Sequence, residues 1–200
     1  MLADICKAFD SVNLTILITK LNNYGFRGQS IDLLKSYLLN RFQYVSLQNT
    51  KSTPAPVTHG VPQGSILGPL LFLIYINDIY NATLDSVPIL FADDNTITVS
   101  APSLIDLETN VNHCLLSLQD WTAANYLTLN FKKTCVLIFH NHKNCGTKLR
   151  FSLGNTAIAQ VSQALVLGII VDENLTFNPQ VESVRKKLSS SLLSSPNCAP

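Results

Sequence analysis

Two periodicities alternate along this chain, and together they predict an α+β domain folded around one sheet. Stretches with apolar residues at helical spacing are separated by short stretches of strict apolar/polar alternation, the pattern of half-buried strands. A central pair of such strands flanks the acidic turn Asp93-Asp94-Asn95. No internal repeat and no linker divides the 200 residues, a length that suits a single hydrophobic core.

The elements follow in order. After Asp10-Ser11, read as caps, Leu14, Leu17, Ile18 and Leu21 keep helical spacing to a stop near Gly25. Ser30 opens a second helix through Ile31, Leu34, Leu38 and Leu39, ending near Asn40. The run 42–47 alternates like a strand, and Thr53-Pro54-Ala55-Pro56 reads as loop. Gly68-Pro69 heads an apolar helix reaching about Ile79, proline being tolerated in a first turn whose N–H groups have no helical partner.

The runs 88–91 and 96–99 form the central hairpin. Ser103 caps a helix whose apolar face is Leu104, Leu107, Val111, Leu115, Leu118 and Trp121, and a strand follows at 135–139. The runs 151–153 and 156–158 make a hairpin about Gly154-Asn155, Leu165 to Val171 one further strand, and Pro179 to Leu193 a last helix. The domain is thus expected over 1–193, with 194–200 a disordered tail.

Composition narrows the function. Hydrophobic residues are 46% and charged residues 14%, unlike a disordered chain and apolar enough that part of the surface is expected to face a partner. The longest stretch free of strongly polar residues, 66–76, falls well short of the roughly 20 needed to span a bilayer, so no membrane partner is expected. Met1-Leu2-Ala3-Asp4 has neither the basic head nor the apolar run of a secretory signal, which predicts an intracellular protein. Cysteines at 6, 114, 135, 145 and 198 form no CxxC pair and suit free thiols. His140-Asn141-His142 with Cys145 lacks the paired spacing of a zinc site. The net charge of +1 is low for a protein that grips a nucleic-acid duplex.

The aspartates carry the chemical interest. In-line displacement at a phosphoryl group is assisted by two hard cations about 3.5–4 Å apart, and carboxylates from different strands can hold them. Taken alone, Asp93-Asp94 is also what a solvated hairpin tip carries, and Asp4 and Asp10 have plain readings as a strand-end and a helix-capping residue.

The surrounding residues separate these readings. The run Asp4-Ile5-Cys6-Lys7-Ala8-Phe9-Asp10 resembles the first palm motif of reverse transcriptases of non-LTR retrotransposons. The segment 59–72, containing Gly60-Val61-Pro62-Gln63-Gly64-Ser65, resembles that family's second motif nearly without change, and Ile76-Asn77-Asp78-Ile79 extends it. Phe91-Ala92-Asp93-Asp94 resembles the third, an aromatic residue, alanine and two acids at a hairpin turn. Trp121, 127–130 and Lys132-Lys133-Thr134 are similar to the fourth motif, and 165–168 with Val171-Asp172 to the fifth.

The resemblance implies a polymerase palm: an antiparallel sheet packed by helices on one face, with partial fingers and thumb elements. It implies Asp4 and Asp93 as metal ligands on adjacent strands, Asp94 beside them, and two Mg2+ ions, replaceable by Mn2+. Phe9 falls where the family has an aromatic gate that excludes a ribose 2′-OH, while Asp10 reads as structural. Gln63 and Gly64 would lie near the incoming nucleotide and template, the glycine for close backbone approach and the amide as donor and acceptor. Pro62-Gln63-Gly64 as a mere turn is the plainer reading.

Lys132 or Lys133 would correspond to the family's lysine near the triphosphate, in a block from Leu127 to Arg150 with five basic residues and no acid; a solvated strand edge guarded by lysine is the alternative. The expected partners are an RNA template, a DNA primer and dNTPs. The family's fingers region and endonuclease domain would precede Asp4, so the chain reads as palm with its fingers missing and thumb truncated, requiring those parts of a parent polyprotein. The leading function is RNA-directed DNA polymerase; the alternative is a catalytically silent remnant that binds at most nucleic acid or a partner. A different Mg2+-dependent phosphotransferase finds no P-loop or kinase motif in support.

Overall fold

A computed structural model describes residues 1–83, 86–92, 94–139 and 148–193. The strands are β1 (Leu2–Asp4), β2 (Arg41–Gln43), β3 (Ser46–Leu47), β4 (Thr50–Lys51), β5 (Ala55–Val57), β6 (Val87–Phe91), β7 (Asp94–Thr98), β8 (Cys135–Leu137), β9 (Phe151–Leu153), β10 (Thr156–Val161), β11 (Gln163–Val166) and β12 (Ile169–Asp172). The helices are α1 (Ala8–Ser11), α2 (Leu14–Asn23), α3 (Gln29–Leu38), α4 (Leu67–Ile76), α5 (Leu104–Ala124) and α6 (Asn178–Leu193). A 3-10 segment, Asn77–Ala82, continues α4.

Six strands form the main sheet in the order β6-β7-β1-β8-β10-β9, antiparallel except for the β8–β10 pair. It is thus a mainly antiparallel sheet with helices, the α+β architecture expected. Ala3, Ile5, Ile97 and Val136 share one buried cluster with Leu17 and Leu21 of α2, Leu71 and Phe72 of α4, and Leu115 and Leu118 of α5. The apolar stripes predicted for these helices therefore bury against one face of the sheet.

Two polar groups inside this packing, on Lys20 and Tyr75, are paired. Lys20 Nζ donates to Asp78 Oδ1 at 2.7 Å and to the Tyr75 carbonyl at 2.6 Å, and lies 4.9 Å from the Tyr75 ring centroid and 5.3 Å from that of Trp121. Burial pulls the Lys20 ammonium below its ordinary pKa, and Asp78 offsets part of that cost. The fully buried Tyr75 hydroxyl, which burial pushes up, donates to the Asn125 carbonyl at 2.5 Å and accepts from Asn13 N at 3.3 Å. These contacts tie α2, α4 and the end of α5 together.

Several local expectations change. Asn13 caps α2 by accepting from Thr15 N and Ile16 N, whereas Asp10-Ser11 form the separate turn α1. Helix α3 starts at Gln29 after Gly28, with Ser30 inside its first turn. The run 42–47 divides between β2 and β3, and β2 pairs with β5, so the proline-containing segment read as loop is partly strand. Pro56 is accommodated because this ladder has only two strands and asks little of a missing N–H. The run 165–171 is a hairpin rather than one strand: β11 pairs with β12 around Leu167-Gly168, both at positive φ as a tight primed turn requires. By contrast Ser103 does cap α5, accepting from Asp106 N at 3.1 Å, and Gly154-Asn155 joins β9 to β10. The tail 194–200 lies outside the described residues.

Candidate active site

The strands set the geometry of the acids. In the β1–β7 ladder Leu2 pairs with Thr96, Ala3 with Asn95 and Asp4 with Asp94. Side chains alternate across a strand, so the register that buries Ala3, Asn95 and Ile97 under the helices sends Asp4 and Asp94 together to the other face. Phe91 pairs with Asp94, which makes Asp94 the first strand residue after the turn rather than part of it. Ala92 in that turn has φ 53°, a left-handed conformation uncommon for a residue with a side chain. Asp93 lies outside the described residues.

Asp4 and Asp94 line a cleft of about 330 Å³ with Leu2, Thr96, Lys133 and Cys135, bounded by Ala164 to Leu167 of the β11–β12 hairpin. The Asp4 side chain is 18% exposed, and its Oδ2 accepts from Asn130 Nδ2 at 2.9 Å and lies 3.6 Å from Lys133 Nζ, a side chain 69% exposed. The Asp4 carbonyl accepts from Asn130 N at 2.8 Å, and Cys6 N donates to the Thr128 carbonyl at 2.8 Å. The segment 127–130 thus docks along the continuation of β1 and aligns the first acid. Lys132 is exposed and does not line the cleft.

Two facing carboxylates with an ammonium at the rim form an oxygen-rich, partly solvated set suited to a hard divalent cation, which prefers such donors and keeps several waters. Cys135 is the sulfur in the cleft, and burial raises its thiol pKa, so it offers little thiolate.

The remaining sequence-predicted residues gather on a second unit around α1. The Phe9 ring stacks on Phe72 of α4 with centroids 4.6 Å apart. Gly60 N donates to the Val12 carbonyl at 2.8 Å and Val61 N to the Phe9 carbonyl at 2.9 Å, stitching the loop before α4 onto α1. Gly64 has φ 75° with open space where a Cβ would stand, so its glycine answers to backbone conformation and leaves room above it. Gln63 Nε2 donates to Asp10 Oδ1 at 2.7 Å, giving Asp10 a partner 53 residues away.

In the sequence Asn130 stands only as one member of a motif. The signal for its contact with Asp4 is its place beside Leu127-Thr128-Leu129, which docks on β1. The segment His140-Asn141-His142 with Cys145 lies outside the described residues.

The family model for reverse transcriptase (RNA-dependent DNA polymerase) matches residues 1–171 of this chain. The chain belongs to that family. Among curated relatives it is 30% identical over 191 residues to the probable RNA-directed DNA polymerase from transposon BS of Drosophila melanogaster, covering 92% of this chain and 21% of that protein. It is 29% identical over 190 residues to the RNA-directed DNA polymerase from mobile element jockey of the same fly, covering 92% and 20%. Against the retrovirus-related Pol polyprotein from type-1 retrotransposable element R1 of Bradysia coprophila the identity is 28% over 187 residues, covering 92% and 18%. These matches make it a reverse transcriptase domain of the non-LTR retrotransposon type, and it spans about a fifth of the length of these relatives. Among the described residues no helix is long and apolar enough to cross a membrane.

Proposed function

We propose that this reverse transcriptase domain is the palm of an RNA-directed DNA polymerase, extending a DNA primer with dNTPs on an RNA template. The observation that carries the reading is the in-register pairing of Asp4 with Asp94 on the face of the sheet away from the helices, in a cleft shared with Lys133. Asp4, Asp94 and, by its place in the motif, Asp93 are the residues that would hold two Mg2+ ions, for which Mn2+ could substitute. Bound there, the metal supplies charge stabilisation to the attacking and leaving oxygens of phosphoryl transfer.

The protein's own groups orient and select. Asn130 orients Asp4 twice, its side-chain amide donating to the carboxylate and its backbone N–H to the Asp4 main-chain carbonyl, which limits rotation of the acid. Lys133, at the rim and mostly exposed, places positive charge where a triphosphate would enter; its contact with Asp4 favours it over Lys132 for that role. Phe9, held by its stack on Phe72, acts as a rigid wall against a ribose 2′-OH. Gln63 and Gly64 approach the nucleotide and template from the loop stitched to α1. The rest of a longer polyprotein would grip the template and primer that a chain of net charge +1 holds weakly.

The test is Mg2+-dependent dNTP incorporation on a primed RNA template by the chain and by Asp93→Ala. The expected result is incorporation by the former and none by the latter. Equal incorporation by both contradicts the reading, and retained RNA binding without incorporation by either would favour a silent remnant.

A further inference from the structure

Asp10 has no part in the metal set and caps no helix, yet its carboxylate is aimed at the one glutamine of the loop that faces the proposed substrate. A carboxylate oxygen only accepts, so the 2.7 Å contact admits a single orientation of the Gln63 amide: Nε2 toward Asp10 and Oε1 away from it. Without that neighbour, an exposed glutamine could present either its carbonyl or its amino group, by a flip that costs little.

The backbone makes the contact a built one. Gly60 N to the Val12 carbonyl and Val61 N to the Phe9 carbonyl bring the loop onto α1 on both sides of Asp10. At Gly60, whose φ is 86°, a Cβ would stand 3.0 Å from both the Asp10 Cα and the Asp10 carbonyl oxygen, so the approach is as close as backbone allows. Ser65 Oγ donates to the Pro62 carbonyl at 2.6 Å and accepts from Gly68 N at 3.0 Å, fixing the far side of the loop to the start of α4. Gln63 therefore projects from a segment anchored at both ends, and the rotation of its own amide is what remains to be set.

We infer that Asp10 is a positioning residue that locks Gln63 to present a hydrogen-bond acceptor, so that the loop recognises a donor group, hydroxyl or base N–H, on the incoming nucleotide or its template partner. This rests on the polymerase reading above. It assigns a working role to a residue whose sequence position suggests only structure, and it explains why two exposed side chains so distant in sequence meet.

The test is steady-state single-nucleotide incorporation by the full chain on a primed RNA template, with Asp10→Leu, Gln63→Glu and the double variant Asp10→Asn with Gln63→Glu. Asp10→Leu keeps the branched outline of the side chain, at somewhat larger volume on an exposed surface, and removes the acceptor; it is expected to raise KM for the dNTP roughly tenfold, the scale of one lost hydrogen bond, with kcat within about twofold and an unchanged melting temperature. Gln63→Glu sets two carboxylates against each other and is expected to fall further. In the double variant the donor and acceptor roles are exchanged: the introduced asparagine's amino group donates to the introduced glutamate's carboxylate, whose other oxygen still faces the substrate. There kcat/KM should recover to within about threefold of wild type.

A destabilised loop would lower kcat and melting temperature in every variant alike, and the swap would not restore it. An Asp10→Leu protein with wild-type KM, or a double variant as impaired as Gln63→Glu, overturns the positioning role while leaving the polymerase reading standing. No incorporation by the wild type overturns both.

Discussion

Alternate residues of β1 and β7 face in opposite directions, and the two faces they make differ in almost every physical respect. Toward the helices lie Ala3, Ile5 and Ile97, buried to 3%, 3% and 0% exposure and packed against α2, α4 and α5. Toward the cleft lie Asp4 and Asp94, with Thr96 and the Lys133 ammonium. One parity of the strand supplies cohesion and the other supplies the carboxylates proposed as ligands, and the fixed period of two keeps them apart. A carboxylate on the first face would have no water and no partner; on the second it is partly solvated and held by Asn130. Substitutions should therefore separate cleanly, stability responding to one parity and chemistry to the other.

The largest expected effect belongs to the cleft. Asp4→Ala should lower nucleotide incorporation by at least about 10³-fold, roughly 4 kcal/mol of transition-state stabilisation, while shifting the urea midpoint little. A comparable loss of stability would show that the acid is a structural member of the sheet. On the opposite face Ile97→Ala should reduce unfolding free energy by about 3 kcal/mol, the range for emptying a buried branched aliphatic site, as measured by urea denaturation. A cost under about 0.5 kcal/mol would mean that this face is not the core.

A smaller effect is expected where polar groups enter the helix-covered side. Tyr75→Phe leaves the Asn125 carbonyl and Asn13 N without their partner and should cost about 1–3 kcal/mol. The smallest concerns Asp172 at the end of β12. Burial alone would raise its carboxyl, but hydrogen bonds from Thr176 N, Phe177 N and the Thr176 hydroxyl outweigh it and hold the pKa below the ordinary value. A depressed folded-state pKa contributes stability above the unfolded value, and the contribution is lost as pH falls through the folded one. Asp172→Asn should thus be less stable than wild type at neutral pH, with the gap narrowing in acid below about pH 4; a gap that widens in acid would reverse the assignment.

Much of the cohesive face was legible from sequence, because helical spacing at Leu14, Leu17 and Leu21 or at Val111, Leu115 and Leu118 follows directly from which residues must be buried. Ser103 and Gly154-Asn155 were legible for a similar reason, since capping and turn formation are local chemistry. The two-residue turn at Leu167-Gly168 was not, because leucine gives no sign of a positive φ and the apolar run on either side reads as continuous strand. Nor was β5, where prolines at 54 and 56 suggest loop until the short partner β2 is known.

In the cleft, motifs single out Asp4, Asp93 and Asp94 by resemblance, but only the ladder register shows Asp4 opposite Asp94, and that register is a property of pairing between segments some 90 residues apart. The choice between Lys132 and Lys133 depends on where one side chain reaches. Asp10 with Gln63 was the least legible, since neither residue carries a local signal of the other.

The claim that the open face of the β1–β7 ladder is a divalent-cation site can be tested without turnover, by adding Mn2+ to isotope-labelled protein and following backbone amide resonances. Strong paramagnetic broadening is expected at residues flanking Asp4 and Asp94 and weak broadening in the buried stretches of α2 and α5, with the effect reversed by excess Mg2+ and abolished in Asp4→Asn. Broadening that is uniform over the surface, or that persists unchanged in Asp4→Asn, would contradict the assignment.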